Sequence, residues 1–274
     1  MSERCDPQMT ISPLFVPATR PAFFDKAVRA GADAVIIDLE DAVAPADKDG
    51  ARQSLLTLAL PPVTRILRIN GIGTPWHADD LAIIARLDID AVMLPKCETA
   101  EDAAAVGNAM AREIQLIALV ENAAGVANAA SIAASPDVSR LAFGAADFCA
   151  DIGCADDWSA LLYARSSIVL ASRLGGVVAP IDGVTLRLED PQQSERDARR
   201  AAELGFSGKM CIHPSQVAPV QAGFLPGSEE LLWARTVVEH KDAGATSLNG
   251  MMIDPPIVRR AEQLLARARS AASH

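Results

Sequence analysis

Eight short apolar runs punctuate the chain: Pro13–Pro17, Ala34–Glu40, Arg65–Asn70, Ala91–Lys96, Ile114–Glu121, Arg140–Asp147, Val177–Val184 and Gly208–Pro214. Bounded by turn formers and separated by segments of helical character, runs of this length read as buried parallel strands of βαβ units. The helical segments, rich in Ala, Leu and charge, cover about residues 21–31, 47–59, 77–87, 99–112, 123–134, 157–174 and 192–204. Eight such alternations over about 215 residues are what a (β/α)8 TIM barrel requires. A doubly wound open sheet alternates in the same way but carries a Gly-rich phosphate loop after its first strand. Here the first run ends in Val16-Pro17-Ala18-Thr19-Arg20.

The runs share a second regularity, since most end in polar groups: Glu40-Asp41, Arg68-Ile69-Asn70, Lys96, Glu121, Asp147, Asp182 and His213. Polar side chains gathered on one rim of a barrel imply a site there. Glu121 and Asp147 close two successive runs, with no basic residue beside either in sequence. Two facing oxygen donors of like charge suit a hard divalent cation such as Mg2+. The other reading of an acid after a strand is the N-cap of the next helix.

After the eighth run come a helical stretch at Ser228–Glu239, a Gly-rich link at 242–250, Met251-Met252-Ile253-Asp254 and a last amphipathic helix, Ile257–Ala272. The expected organisation is a barrel over residues 1–243 and a C-terminal arm over 244–274. That arm is either ordinary packing, or a lid or subunit arm.

Composition narrows the partners. Of 274 residues, 50% are hydrophobic, enough for a large core. The net charge of −10 excludes nucleic acid and disfavours anionic membranes, so an anionic ligand must be met by local basic residues. No apolar run approaches the roughly 20 residues that span a bilayer. The opening residues lack a secretion signal, and the five cysteines form no disulfide or zinc spacing, so the expected setting is the cytoplasm. Trp76, Trp158 and Trp233 read as helix-packing residues.

Several stretches together carry a resemblance: Leu14-Phe-Val-Pro-Ala18, Ala32-Asp-Ala-Val-Ile-Ile-Asp-Leu-Glu-Asp-Ala-Val43, Arg68-Ile-Asn70, Leu94-Pro-Lys96, Val120-Glu-Asn122, Phe143-Gly-Ala-Ala-Asp-Phe148, Gly205-Phe-Ser-Gly-Lys-Met-Cys-Ile-His-Pro214 and Met252-Ile-Asp254. The chain resembles, over nearly its whole length, the citrate lyase β-subunit-like group of the HpcH/HpaI aldolase superfamily, which includes malyl-CoA and citramalyl-CoA lyases. The resemblance implies a Mg2+-dependent carbon–carbon lyase that cleaves a 3-hydroxyacyl-CoA thioester to an acyl-CoA and a 2-oxo acid. Glu121 and Asp147 would be the metal ligands, with Glu40 and Asp41 orienting metal waters from behind. Arg68 would contact the thioester carbonyl, and Phe15, Arg20, Lys26, Ile212 and His213 would lie where the family holds CoA. Asp254 matches an acid lent by a neighbouring subunit's arm, which implies a homo-oligomer, a trimer or hexamer, and a role as proton donor or base.

Other readings stand beside these. Arg68 could pair with Glu40, His213 could be a strand-end packing residue, and Lys96 could form a Schiff base in some barrels, though in this family it is structural or CoA-facing. The chain departs from the family near Asp182-Gly-Val-Thr185, where an aromatic residue is common, and at Ala18-Thr19, where many members have Gly-Asn. Alternative activities are hydrolysis of the same thioesters, a citrate lyase β-type subunit acting on an acyl-carrier thioester, and a CoA-independent pyruvate aldolase.

Overall fold

The computed structural model describes residues 4–110, 113–241, 246–248 and 251–272. By internal packing the chain forms two compact units, residues 1–221 and 222–274.

In the first unit the eight strands are β1 (Leu14–Pro17), β2 (Ala34–Asp38), β3 (Thr64–Arg68), β4 (Ala91–Leu94), β5 (Gln115–Val120), β6 (Val138–Phe143), β7 (Val178–Asp182) and β8 (Gly208–Lys209). They pair in sequence order, all parallel. The two ends of the sheet also meet. Lys209 N–H donates to the Ile11 carbonyl at 2.8 Å, Cys211 N–H to Pro13 at 2.9 Å and Phe15 N–H to Cys211 at 2.9 Å. These bonds bring the last strand back to the first, as a (β/α)8 barrel requires.

Between strands run α1 (Phe24–Arg29), α2 (Lys48–Leu55), α3 (His77–Ile84), α4 (Ala100–Ala109), α5 (Ala123–Ala133), α6 (Ala145–Ile152), α7 (Trp158–Gly175) and α8 (Pro191–Leu204), and α9 (Val217–Phe224) follows β8. Caps set several starts: Thr99 and Asp102 form a capping box on α4, Asn122 caps α5 and Asp190 caps α8 just before Pro191. No helix among the described residues is long and apolar enough to cross a membrane.

The apolar runs are continuous because both faces of the sheet are covered. Ala34, Ile36, Ile66, Ala91, Met93, Ile117, Leu119, Ala142, Ile181 and Met210 form one cluster, with Phe15 and Val184 against it. Their sequence neighbours Val35, Ile37, Leu67, Val92, Leu94, Leu116, Ala118, Val120 and Leu141 point the opposite way by strand alternation and are as deeply buried.

Polar groups lock the N-terminal ends of the strands. Asp33 accepts the Ile11 and Ser12 N–H groups at 2.6 and 3.0 Å, and Asp90 accepts that of Arg65 at 2.9 Å. Arg140, in β6, is wholly buried and donates to the carbonyls of Pro7, Thr10 and Ala179 and to the hydroxyls of Thr10 and Ser207. Burial pushes its guanidinium down to about 10, still charged at neutral pH.

The sixth run is shorter than its apolar pattern suggests. Strand β6 ends at Phe143, and Asp147 lies in the first turn of α6 rather than at a strand end. Ala145 and Ala146 carry the apolar pattern onward, but alanine continues as helix once Gly144 has turned the chain.

In the second unit, α10 (Ser228–Glu239) and α11 (Pro255–Ala272) flank the antiparallel strands β9 (Thr246–Leu248) and β10 (Met251–Ile253). Ala234, Val237, Ile253 and Ala261 form its core, with Trp233, Ile257, Val258, Leu264 and Leu265 against it.

Replacing Arg140 with Met should leave the Thr10 carbonyl without its side-chain donor and the Pro7 and Ala179 carbonyls with only the hydroxyls of Thr10 and Ser207, a loss of about 3 kcal/mol or more. Urea unfolding should register it as a lower midpoint at unchanged slope, and a loss under about 1 kcal/mol would contradict this role.

Candidate active site

The C-terminal rim of the first unit gathers its charges in pairs. Asp38, the last residue of β2, takes the fork of Arg68, the last of β3, with Nε at 2.8 Å from Oδ1 and Nη2 at 2.7 Å from Oδ2. Asp38 also accepts the N–H groups of Glu40 at 2.8 Å and Ala42 at 3.1 Å, which fixes the turn carrying Glu40. The guanidinium lies over the Phe15 ring at 4.7 Å. Burial works against its charge, but the bond to Asp38 and the charges of Asp38, Glu40 and Glu121 outweigh it, so Arg68 is held firmly protonated. With two donors spent on Asp38, N–H groups on Nη1 and Nη2 remain for other acceptors.

Glu40 is buried beside two cations. Its Oε1 accepts from Lys96 Nζ at 2.6 Å, and its Oε2 lies 2.9 Å from Arg68 Nη1 without an aligned hydrogen bond. Behind it, Lys48 Nζ donates to the main-chain carbonyls of Leu39 and Glu40 at 2.8 and 2.9 Å. Asp41 is exposed, with Oδ2 3.9 Å from Arg68 Nη1.

Glu121 follows β5 directly and is 2% exposed. Its Oε1 accepts the main-chain N–H of Lys96 at 2.8 Å, and Lys96 Nζ stands 3.9 Å away. Its Oε2 lies against Gly144, where a Cβ would come within 2.4 Å of it. Burial and then the nearby charges of Asp147 and Glu40 push the carboxyl up to about 8, despite Lys96 and Arg68. A buried acid repelled by two others is one whose ionised form its neighbouring cations do not fully offset. Among the described residues no set of three or more His, Cys, Asp or Glu side chains converges as a metal cage. The donors instead suit Mg2+, which takes one or two carboxylates and keeps waters, and the unbonded Oε2 of Glu40 is a ready acceptor for such a water.

The other sequence-predicted residues fall into three groups. Arg20 and Lys26 are exposed and both sit over Phe23, at 5.6 and 4.4 Å, a basic cluster around an aromatic face on the loop and helix after β1. Ile212 and His213 are exposed, and the His213 ring accepts the Ser215 N–H at 3.2 Å, capping the short turn Pro214–Gln216. Asp254, in the second unit, accepts the Ile257 N–H at 3.0 Å as the cap of α11. Asp182, another polar run end, is wholly buried between Arg165 Nε at 2.8 Å and Lys209 Nζ at 3.0 Å. Those two cations outweigh burial and hold its carboxyl below the usual range, so it serves the barrel wall.

Three residues escaped sequence reasoning. Asp38 sat inside an apolar run, Lys96 was set aside as structural or CoA-facing, and Phe23 was passed over although it stands midway between Arg20 and Lys26. The Lys96 ammonium meets burial, but the bond and charge of Glu40 and the charges of Glu121 and Asp41 outweigh it and raise its pKa. That disfavours the neutral amine which imine formation needs.

Comparison with known proteins gives concordant matches. The HpcH/HpaI aldolase/citrate lyase family model matches residues 12–214. A citrate lyase subunit beta-like protein of Mycobacterium tuberculosis is 40% identical over 269 residues, covering 95% of this chain and 96% of that protein. An L-malyl-CoA/beta-methylmalyl-CoA lyase of Cereibacter sphaeroides is 33% identical over 317 residues, covering 98% of each. The crystal structure of CitE from Mycobacterium tuberculosis in complex with magnesium, acetoacetate and coenzyme A superposes with a TM-score of 0.86 at 38% identity, over 96% of this chain and 99% of that one.

Glu121→Gln removes the repelled charge while keeping an acceptor for the Lys96 N–H. At pH 8 and without metal this variant should melt a few degrees above the parent protein, since roughly 1 kcal/mol shifts a domain of this size by about 2–4 °C. Added Mg2+ should raise the melting temperature of the parent and leave the variant unmoved, as differential scanning fluorimetry would record.

Proposed function

The chain belongs to the HpcH/HpaI aldolase/citrate lyase family and is a carbon–carbon lyase; from that membership we propose a Mg2+-dependent enzyme that splits a 3-hydroxyacyl-CoA thioester of the malyl-CoA or citramalyl-CoA type into an acyl-CoA and a 2-oxo acid. The observation that carries this reading is the buried Glu121, crowded by the charges of Asp147 and Glu40, facing a guanidinium locked on Asp38.

Glu121 and Asp147 would hold the cation. A cation bound there would supply a Lewis acid that lowers the pKa of the hydroxyl at the substrate's 2-hydroxy acid end. Once the hydroxyl has passed its proton to a water of the site, the C–C bond breaks. Its electron pair passes into the thioester enolate, and the former hydroxyl carbon becomes the carbonyl of the 2-oxo acid. Arg68, rigid on Asp38 and backed by Phe15, would direct its remaining N–H groups at the thioester oxygen as negative charge grows there. No reorganisation is needed at that moment, because both carboxylate bonds to the guanidinium are already made. Glu40 and Asp41 would orient the waters of the metal.

The Arg20, Phe23 and Lys26 cluster supports a site for the phosphates and adenine of CoA, the cations meeting charge and the ring offering a stacking face. Ile212 and His213 would complete that edge. Asp254 would protonate the enolate carbon, or take up a proton in the synthetic direction, from the arm of a neighbouring copy in a trimer or hexamer. The relatives' printed activities support the substrate class, and the magnesium and coenzyme A of the CitE complex support the cofactor and the thioester carrier.

The purified protein with Mg2+ and a panel of malyl-, methylmalyl- and citramalyl-CoA should release a 2-oxo acid, detected by reductive coupling to NADH. Free thiol without 2-oxo acid would mean thioester hydrolysis instead. Asp254→Asn should lower kcat by about 100-fold or more. Co-expressed with inactive Glu121→Gln chains, it should regain activity at roughly a quarter of the sites if neighbours share them in a closed ring. No recovery would confine Asp254 to its own chain.

A further inference from the structure

Lys96 is the one non-glycine residue with a positive φ, +50°, among the described residues. In that left-handed region an L residue is crowded by its own Cβ, and glycine is the usual occupant. A lysine kept there calls for a reason in its side chain. The main-chain N–H that the turn aims at Glu121 Oε1 would be supplied equally well by glycine. The ammonium at 2.6 Å from Glu40 Oε1 would not.

Glu40 has no other aligned donor on its carboxylate. Its Oε2 is buried and makes no hydrogen bond, although Arg68 Nη1 is 2.9 Å away. With Oε1 held by the ammonium, the carboxylate plane is set by Lys96, and the unbonded oxygen is kept for an acceptor role. The same residue's N–H occupies Oε1 of Glu121 and leaves Oε2, the oxygen against Gly144, as the one to ligate. One residue after β4 therefore orients two acids carried by β2 and β5, through two chemically different groups.

We propose that Lys96 is a positioning residue of the lyase reaction: its main chain turns Glu121 Oε2 toward the cation, and its ammonium acts through Glu40 by presenting Oε2 to a metal-bound water. The inference rests on the reading of Glu121 and Asp147 as metal ligands. The strained turn is kept because it places the N–H and the ammonium over one mouth.

Two substitutions separate the roles. Lys96→Met removes the ammonium and keeps the crowded backbone; Lys96→Gly removes both and keeps the N–H. Lys96→Gly should melt above Lys96→Met, and both should bind Mn2+, added alone and followed by electron paramagnetic resonance, within about threefold of the parent protein. Both should lose about 10- to 100-fold in kcat with KM little changed, and Lys96→Arg should restore part of it. Combined with Glu40→Gln, Lys96→Met should cost no more than Glu40→Gln alone. Losses that multiply in the double variant, or a Met variant that melts above the Gly variant, would overturn the proposal. Should the parent protein turn over no thioester, the lyase reading fails. The same double-variant cycle is then read on pyruvate binding to the Mn2+-loaded protein, where coupling between positions 96 and 40 sustains the positioning role and independence removes it.

Discussion

Like charges confined to one low-dielectric rim are the constraint on which this molecule turns. Asp38, Glu40 and Glu121 are all buried at the mouth of the sheet, and Asp147 stands close enough to press on Glu121. Left to themselves, such carboxylates would repel or stay protonated. The chain answers with two built-in cations of different kinds. Arg68 is a planar fork spent on Asp38 and fixed in direction. Lys96 is a point charge on a strained turn, and it reaches Glu40 directly. Glu121 is the acid that these two do not satisfy, and its raised carboxyl marks the place where a further positive charge fits.

The fold supplies this arrangement by separating its duties end from end. At the N-terminal ends of the strands, Asp33, Asp90 and Arg140 close hydrogen bonds to main-chain groups and hold the ring together. At the C-terminal ends, the polar side chains face one another instead. Asp182 is the exception there, since Arg165 and Lys209 neutralise it within the wall. Close packing is as demanding as the charges: the floor under Glu121 is Gly144, and no side chain fits between them. The stability forgone in crowding acids is the ordinary cost of a site poised for chemistry.

Much of this was legible in the residues alone, for a physical reason. Strands buried on both faces must be apolar throughout, so the eight runs stood out, and their polar ends pointed to the rim before any coordinates. Glu121, Arg68 and Glu40 were found by that route and lie together in the structure. The rest depended on information that periodicity does not carry. Asp147 followed two alanines, which suit the end of a buried strand and the start of a helix equally, and only the turn at Gly144 decides between them. Asp38 read as the middle of a run because its partner Arg68 is thirty residues away and joined to it only across β2 and β3. Lys96 was read as structural or CoA-facing because a left-handed backbone at a lysine leaves no mark in sequence. Asp147 was picked out all the same, as the polar end of the sixth run and again by the family resemblance, and the comparisons bear out that kinship over most of the chain.

The central claim is a cation gripped between Glu121 and Asp147, and it is tested most directly by anomalous scattering from crystals grown with Mn2+ in place of Mg2+. The expected result is one strong peak within about 2.2 Å of a carboxylate oxygen from each residue, with waters completing an octahedron. A peak held by other side chains, or none between these two at full Mn2+ loading, would contradict it.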